Sequence, residues 1–241
     1  MTLDEGRDDD LDKLNVTVNY IAHSGFAVET ENRVLIFDYF KGQVDIEDRD
    51  KDIYVFSSHG HRDHFNPIVL DWKKDFKNIH YILSKDIDVE EDNSITLMGP
   101  YKEYFIDGLR IKTFGSTDQG VSFLVSVDGL NIFHAGDLHW WYWERYSEIE
   151  KINMENSFKI KVKRLKNSGL DIDIAFFPVD PRLEDNFHLG GEYFISEIRP
   201  KYFFPMHSWD KYEIIDDFIH KVASPYTKIV DINHKNQNFK L

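Results

Sequence analysis

The sequence predicts an α/β (α+β) domain made of two mixed β-sheets packed face to face, with helices outside them. Three observations carry this. Short apolar runs with strand-like alternation fill the first half, and two pairs of them are split by Asp-Gly turns. The second half alternates strand-like runs with helical stripes. No linker rich in Pro, Gly or Ser and no repeating period divides the 241 residues, so a single domain over residues 1–241 is the simplest account.

The elements follow in order. Residues 1–13 are charged and read as a loose arm. Val16, Val18 and Tyr20 share one strand phase, Phe26 and Val28 continue it, and Val34 to Phe37 form a buried strand ending at Asp38. Ile53 to Phe56 is a further apolar run that empties into Ser57-Ser58-His59. Asn66-Pro67 supplies a cap and first-turn proline for a helix to about Phe76. Ile79 to Leu83 is a short strand. Tyr101–Ile106 pairs with Leu109–Phe114, and Val121–Val127 with Leu130–His134. Trp141 to about Ile152 reads as helical. Phe158, Val162 and Leu165 mark a helix stopped by Gly169. Strands over Ile172–Val179, Tyr202–Phe204 and Lys228–Ile232 enclose a short helix at Glu192–Ile198 and an amphipathic stripe from Ile214 to Val222.

Composition narrows the function. Hydrophobic residues at 41% and aromatics at 15% suffice for a sizeable core. The net charge of −14 repels nucleic-acid backbones. The most basic stretch, Lys159 to Lys166, reads as the wet face of a helix, so nucleic acid is not a favoured partner. Cysteine is absent, which excludes disulfides, thiolate metal sites and a cysteine nucleophile. The acidic opening lacks the apolar core of a signal peptide, and no run nears the roughly 18 apolar residues of a membrane span. A cytoplasmic, membrane-free protein is expected.

The densest chemistry is His59-Gly60-His61-Arg62-Asp63-His64, placed directly after a buried strand. A strand end aims side chains with small error. His59 and His61, two residues apart in an extended turn, can face one point, while Asp63 and His64 face a second. The spacing suits one or two adjacent divalent cations held by nitrogen and oxygen: zinc first, with manganese and iron as the alternatives. Solvated loop histidines are the bland reading, and the density of the pattern outweighs it.

The hexapeptide resembles the signature of the metallo-β-lactamase superfamily. Phe133-His134-Ala135-Gly136-Asp137 resembles that family's strand ending in Gly-Asp, and Phe204-Pro205-Met206-His207 its late histidine-bearing strand. The opening, Tyr20 to Asp38, is similar to members related to the ascorbate-6-phosphate lactonases. The likeness spans about residues 14–232. It implies a four-layer αββα sandwich with the metal site at one edge between the sheets. Position by position, it implies that His59 and His61 bind a first metal, that Asp63, His64 and His207 bind a second, and that Asp137 bridges them.

The chain departs from the pattern at one place. The family normally supplies another histidine to the first metal from a loop that is here Gly115-Ser116-Thr117-Asp118-Gln119-Gly120. Asp118 as an oxygen ligand, a depleted first site, and Asp118 as a plain turn residue all stay open. His134 and His23 stand between a supporting role beside the metal and a place in the core. His80, His220 and His234 read as structural or solvated. Trp140 and Trp141 suggest an aromatic wall for substrate, against core packing or a subunit interface. Arg182 suits an anionic substrate group and His188 a proton donor, against a salt bridge and a surface histidine.

The resemblance implies hydrolysis of a small-molecule substrate by cation-activated water, with Asp63 orienting the water or taking its proton. His188, where a strand end returns to the same rim, is a second catalytic candidate. A lactone or ester comes first and a phosphodiester second. β-Lactams come last, since those enzymes are normally exported. A metal-binding regulatory or scaffold protein without turnover is the alternative. Di-iron redox chemistry would usually need a flavin domain for which the chain has no room. Self-association is left open.

Overall fold

Apolar alternation builds the first sheet. The computed structural model describes residues 14–44, 46, 48 and 50–241, so the arm expected over 1–13 lies outside the described residues. Strands β1 (Thr17–Ala22), β2 (Gly25–Glu29) and β3 (Arg33–Phe37) form an antiparallel meander. β4 (Asp52–Ser57), β5 (Ile79–Ser84) and β6 (Ile95–Met98) then join it in parallel. On β3, Leu35 and Phe37 enter the core between the sheets, while Val34 and Ile36 enter a second cluster on the outer face. The period of two thus becomes two buried faces, as expected of a sheet covered on both sides.

The second sheet repeats the succession. β7 (Glu103–Ile106), β8 (Leu109–Gly115), β9 (Val121–Val127) and β10 (Leu130–His134) are antiparallel. β11 (Ile174–Pro178), β12 (Tyr202–Met206) and β13 (Lys228–Ile229) follow in parallel. A last strand, β14 (Gln237–Lys240), returns to pair with β1 at the edge of the first sheet. Among the described residues each sheet has seven strands. Aromatic rings join them: Phe26 stacks on Phe176 at 4.2 Å, and Phe56 meets Phe123 edge-on at 5.3 Å. Burying one such side chain stabilises the fold by roughly 1.5–3 kcal/mol.

Helices α1 (Glu148–Lys166), α2 (Leu189–Ile198) and α3 (Glu213–Lys221) flank the sandwich. α1 buries Phe158, Val162 and Leu165, and Phe218 of α3 stacks on Phe203 of β12 at 5.5 Å. Over the first sheet lies a 3-10 segment, Pro67–Lys74. Among the described residues no helix is long and apolar enough to cross a membrane.

Several expectations change. The helix expected from Asn66-Pro67 has its cap, with the Ile68 N–H donating to Asn66 Oδ1 at 3.0 Å, but winds as 3-10. Only Val69 of that segment is buried, so no apolar stripe rewards α turns. The helix expected from Trp141 starts only at Glu148, where Ser147 and Glu150 form a capping box. It then runs unbroken to Lys166, joining two stretches read as separate. The α2 helix begins at Leu189 rather than Glu192. The strand expected over Lys228–Ile232 shrinks to two residues, and β6 and β14 were unforeseen.

The parallel strands matter most for the site. β3, β4, β10, β11 and β12 all end at one rim, where Asp38, Ser58 and His59, Asp137, Asp180 and His207 follow them.

Candidate metal centre

Three sets of side chains come within ligating distance of one another at this rim. In each set, one ligand atom per residue lies within 4.8 Å of the rest: His23, Asp63, His64 and His207; His59, His64 and Asp137; and His61, Asp118 and Asp137. Asp137 stands in the middle. Its Oδ1 is 3.1 Å from His64 Nε2 and 3.5 Å from His207 Nε2, and its Oδ2 is 3.5 Å from His59 Nε2.

A buried carboxylate holds the imidazoles in place from behind. Asp38 accepts from the Ser58 N–H at 2.7 Å, from the Ser58 hydroxyl at 2.6 Å, and from His64 Nδ1–H at 2.7 Å. The Ser58 hydroxyl has given its one hydrogen to Asp38. It therefore accepts from His59 Nδ1–H at 2.9 Å, which leaves His59 Nε2 bare toward the cluster. Asp180 does the same for His207, accepting from its Nδ1–H at 2.7 Å. Carboxylates behind histidines fix tautomer and ring orientation in metal sites.

The exposed end is looser. His61 Nδ1 is 2.9 Å from His59 Nε2 and 4.0 Å from Asp118 Oδ2. Two imidazole ligands of a tetrahedral cation stand about 3.3 Å apart, so the pair suits shared coordination after a small adjustment. The His61 and Asp118 side chains are 45% and 50% exposed, whereas those of His59, His64 and His207 are sealed from solvent.

Glycine brings the backbones together. Gly120, at φ +71°, packs so closely that a side chain there would collide with Ser58 O, to which the Val121 N–H donates at 2.9 Å. Gly136, at φ +53°, leaves room for Ser58, whose Cβ would stand 2.7 Å from a side-chain carbon there. Thr117 ties the 115–120 loop to the Asp137 loop: its hydroxyl donates to His139 O at 2.6 Å, and the His139 N–H donates back to it at 2.9 Å.

The residues fit a divalent cation on a direct observation. Buried His64 Nε2, His207 Nε2, His23 Nε2 and Asp137 Oδ1 all lack a hydrogen-bond partner among the described residues. Such atoms are costly unless something satisfies them. Here they converge, and nitrogen and carboxylate oxygen are proper ligands for zinc, manganese or iron.

The charges of the cluster are strongly coupled. Burial pulls His59 down to about 4. Burial opposes charge on His64 too, but Asp137 and Asp38 outweigh it and raise its pKa. Burial would raise Asp137, yet the surrounding imidazoles hold it well below the usual range. Asp118 is raised, by burial first and then by the Asp137 charge.

A cleft of about 360 Å³ opens over the cluster, with His61, Asp63, Asp118, Asp137 and His207 lining its floor. Trp141, Trp143 and Trp209 form its walls, with Arg145 and Arg182. Two expectations fail here. Trp140 does not line the cleft; it stacks on Phe158 at 6.1 Å with Lys159 over its ring, packed against α1. His188 is not at the cleft either. Its Nδ1–H donates to Asp185 O at 3.1 Å and its Nε2 lies 3.6 Å from Glu192, so its contacts stay within its own helix end. Arg182 is at the cleft, where it grips Asp180 through Nε and Nη2.

The remaining histidines sort themselves. His134 accepts from the Gly136 N–H at Nδ1 and donates from Nε2 to Ser24 O, which makes it a buried strut. His80 stacks on Tyr54, while His220 and His234 bond to nearby backbone. The sequence reading missed Asp38 and Asp180 as supports, and Thr117 as a tie. The available signal was that both carboxylates directly follow apolar strands that end at the ligand rim.

Comparison with known proteins agrees with this geometry. Residues 17–154 match the family model described as a β-lactamase superfamily domain. The chain belongs to the metallo-β-lactamase superfamily. A metal-dependent hydrolase of Methanosarcina barkeri is 26% identical over 145 residues, covering 52% of this chain and 62% of that protein, so the match spans less than two thirds of the relative. Among solved structures, Igni18, a metallo hydrolase from Ignicoccus hospitalis, aligns with a TM-score of 0.61 at 15% identity, over 94% of this chain and 99% of that one. YhfI from Bacillus subtilis, a metallo-β-lactamase fold protein, gives 0.62 at 13% identity, over 93% and 98%. CmlA, a diiron β-hydroxylase from Streptomyces venezuelae, gives 0.63 at 8% identity, over 94% of this chain and 54% of that one. At these identities the structural likeness is one of fold.

Proposed function

We propose that this chain is a metal-dependent hydrolase acting on a small ester or lactone. The observation that carries the reading is the convergence of unpartnered, buried imidazole nitrogens and a carboxylate oxygen at the strand rim, under an open cleft. His59, His61 and Asp118 would hold one cation, Asp63, His64 and His207 a second, and Asp137 would bridge. Zinc is the first choice of metal, with manganese and iron next. The lactonase-like opening, Tyr20 to Asp38, favours an ester or lactone over a phosphodiester.

A bound cation would supply an activated water and a positive charge for the oxygen that gains charge in the reaction. The chain's own residues do the rest. Asp63 presents a carboxylate at the cleft floor, where it accepts a proton from the attacking water. Asp38 and Asp180 lock the tautomers behind it. Trp141, Trp143 and Trp209 keep bulk water from the sides of the cleft and offer flat apolar surface to substrate.

The test is metal analysis of purified protein, then assay against a panel of esters, lactones and phosphodiesters. Turnover that stops with a chelator, returns with zinc or manganese and is lost in Asp63→Asn supports the reading. Bound metal with no turnover on any member of the panel overturns it in favour of a regulatory or scaffold protein.

A further inference from the structure

We infer that His23, in the β1–β2 turn, is a fifth protein ligand of the cation held by Asp63, His64, His207 and the bridging Asp137. The inference rests on the metal-binding reading above. It makes the buried half of the centre the tight site and the His59–His61–Asp118 half the labile one.

Four observations support it. First, His23 is 4% exposed and its Nε2 has no hydrogen-bond partner among the described residues. A buried ring nitrogen in that state asks for an explanation. Second, Nε2 is aimed at the cluster. It lies 3.4 Å from Asp63 Oδ2, and the His23 ring stands 4.1 Å from that of His207 and 5.7 Å from that of His64. Neighbouring ligands of one zinc stand about 3.3 Å apart or less, so these four groups, whose ligand atoms lie within 4.8 Å of one another, need only contract to share an ion that also takes Asp137.

Third, the backbone fixes the ring. His23 has φ +57°, a left-handed conformation that non-glycine residues keep only where the surroundings impose it. Its N–H donates to the Tyr20 hydroxyl at 2.9 Å, and its carbonyl accepts from the His207 N–H at 3.1 Å. The turn is therefore bonded directly to another ligand's backbone across the two sheets. Fourth, the two halves of the centre differ in donors. With His23, the buried half has three nitrogens and Asp63, beside Asp137. The other half has two nitrogens and Asp118, and is half open to water. The imidazole absent from the 115–120 loop is offset by one from the opposite sheet.

The experiment is a titration of the metal-free full chain with Co²⁺, following heat and visible absorption. His23→Asn is the variant, because asparagine tolerates the left-handed turn but is too short to reach the ion. Circular dichroism and thermal unfolding report whether it folds. Wild type is expected to bind in two steps. His23→Asn weakens the tight step at least tenfold and changes its spectrum, whereas Asp118→Ala removes only the weak step. A folded His23→Asn whose tight step and spectrum match wild type overturns the inference while the metal reading stands. Absence of any Co²⁺ uptake by wild type overturns both. If His23→Asn does not fold, His23→Gln is titrated in its place and read by the same criteria.

Discussion

His207 and Asp180 meet through a single hydrogen bond of 2.7 Å in which both side chains are sealed from solvent. The carboxylate is shared. Arg182 grips it from the cleft side, and the Trp209 indole N–H reaches it at 3.3 Å. These partners outweigh burial and hold the Asp180 pKa low, so it stays charged behind the imidazole. Replacing Asp180 with Asn removes that charge and frees the His207 tautomer. Metal affinity should fall about 10–100-fold, the range seen when supports of this kind are lost. A competition titration against a chromogenic chelator would measure it; an unchanged affinity would mean that His207 needs no such support.

Gly120 offers a test of the rim's backbone. Gly120→Ala combines a left-handed φ with a collision against Ser58 O, and the expected cost is at least about 1–3 kcal/mol. Gly129→Ala is the control. It has φ +81° with nothing within 4 Å of an added carbon, so only the left-handed penalty of about 1–2 kcal/mol applies. Urea midpoints at unchanged slope would compare the two. Equal losses would show that the Gly120 approach is easily relaxed.

His139 predicts a pH dependence. Burial pulls it down to about 3, with the nearby Asp180 charge opposing only in part. Its ring is pressed against Gly190 and neither nitrogen has a partner among the described residues. Above the unfolded value of about 6.5, both states are neutral and nothing changes. Between there and about 3, the unfolded chain binds a proton that the fold refuses, so stability falls as pH falls. His139→Leu should reduce the stability difference between about pH 7 and pH 5 by up to about 2 kcal/mol. Denaturant melts of metal-free protein at both pH values would read this out, and equal slopes for the two proteins would remove His139 from the account.

Metal removal should lower the melting temperature. A cation that binds only the folded state adds about 2.7 kcal/mol at a hundredfold excess over its Kd. Asp137→Ala, which takes away the central carboxylate, should abolish that response to added zinc. A zinc-dependent rise that survives in the variant would place the ion elsewhere.

How much of this was readable beforehand depended on distance along the chain. The hexapeptide from His59 to His64 was legible because six neighbours cannot help being close together. Most strands were legible because their side chains alternate into two cores. Asp38 and Asp180 were hidden because the histidine each supports is 26 or 27 positions away, and nothing local marks a carboxylate as a support. Trp140 misled because an aromatic residue packed under a helix has the same composition as one facing a cleft. Residues 141–147 read as helix for a similar reason, and only the Ser147 capping box dates the true start. β14 is polar at Gln237, Asn238 and Lys240 and owes its place to backbone pairing with β1, a property that composition does not record.

The two sheets repeat one strand succession, and the ligating groups are divided between them. His23, His59, His61, Asp63 and His64 follow strands of the first sheet, and Asp118, Asp137 and His207 strands of the second. An ion lodged at this seam would act as a rivet between two similar plates. Any breathing that parts the plates loosens the grip on it, so the rate at which metal escapes becomes a gauge of how often the sandwich opens.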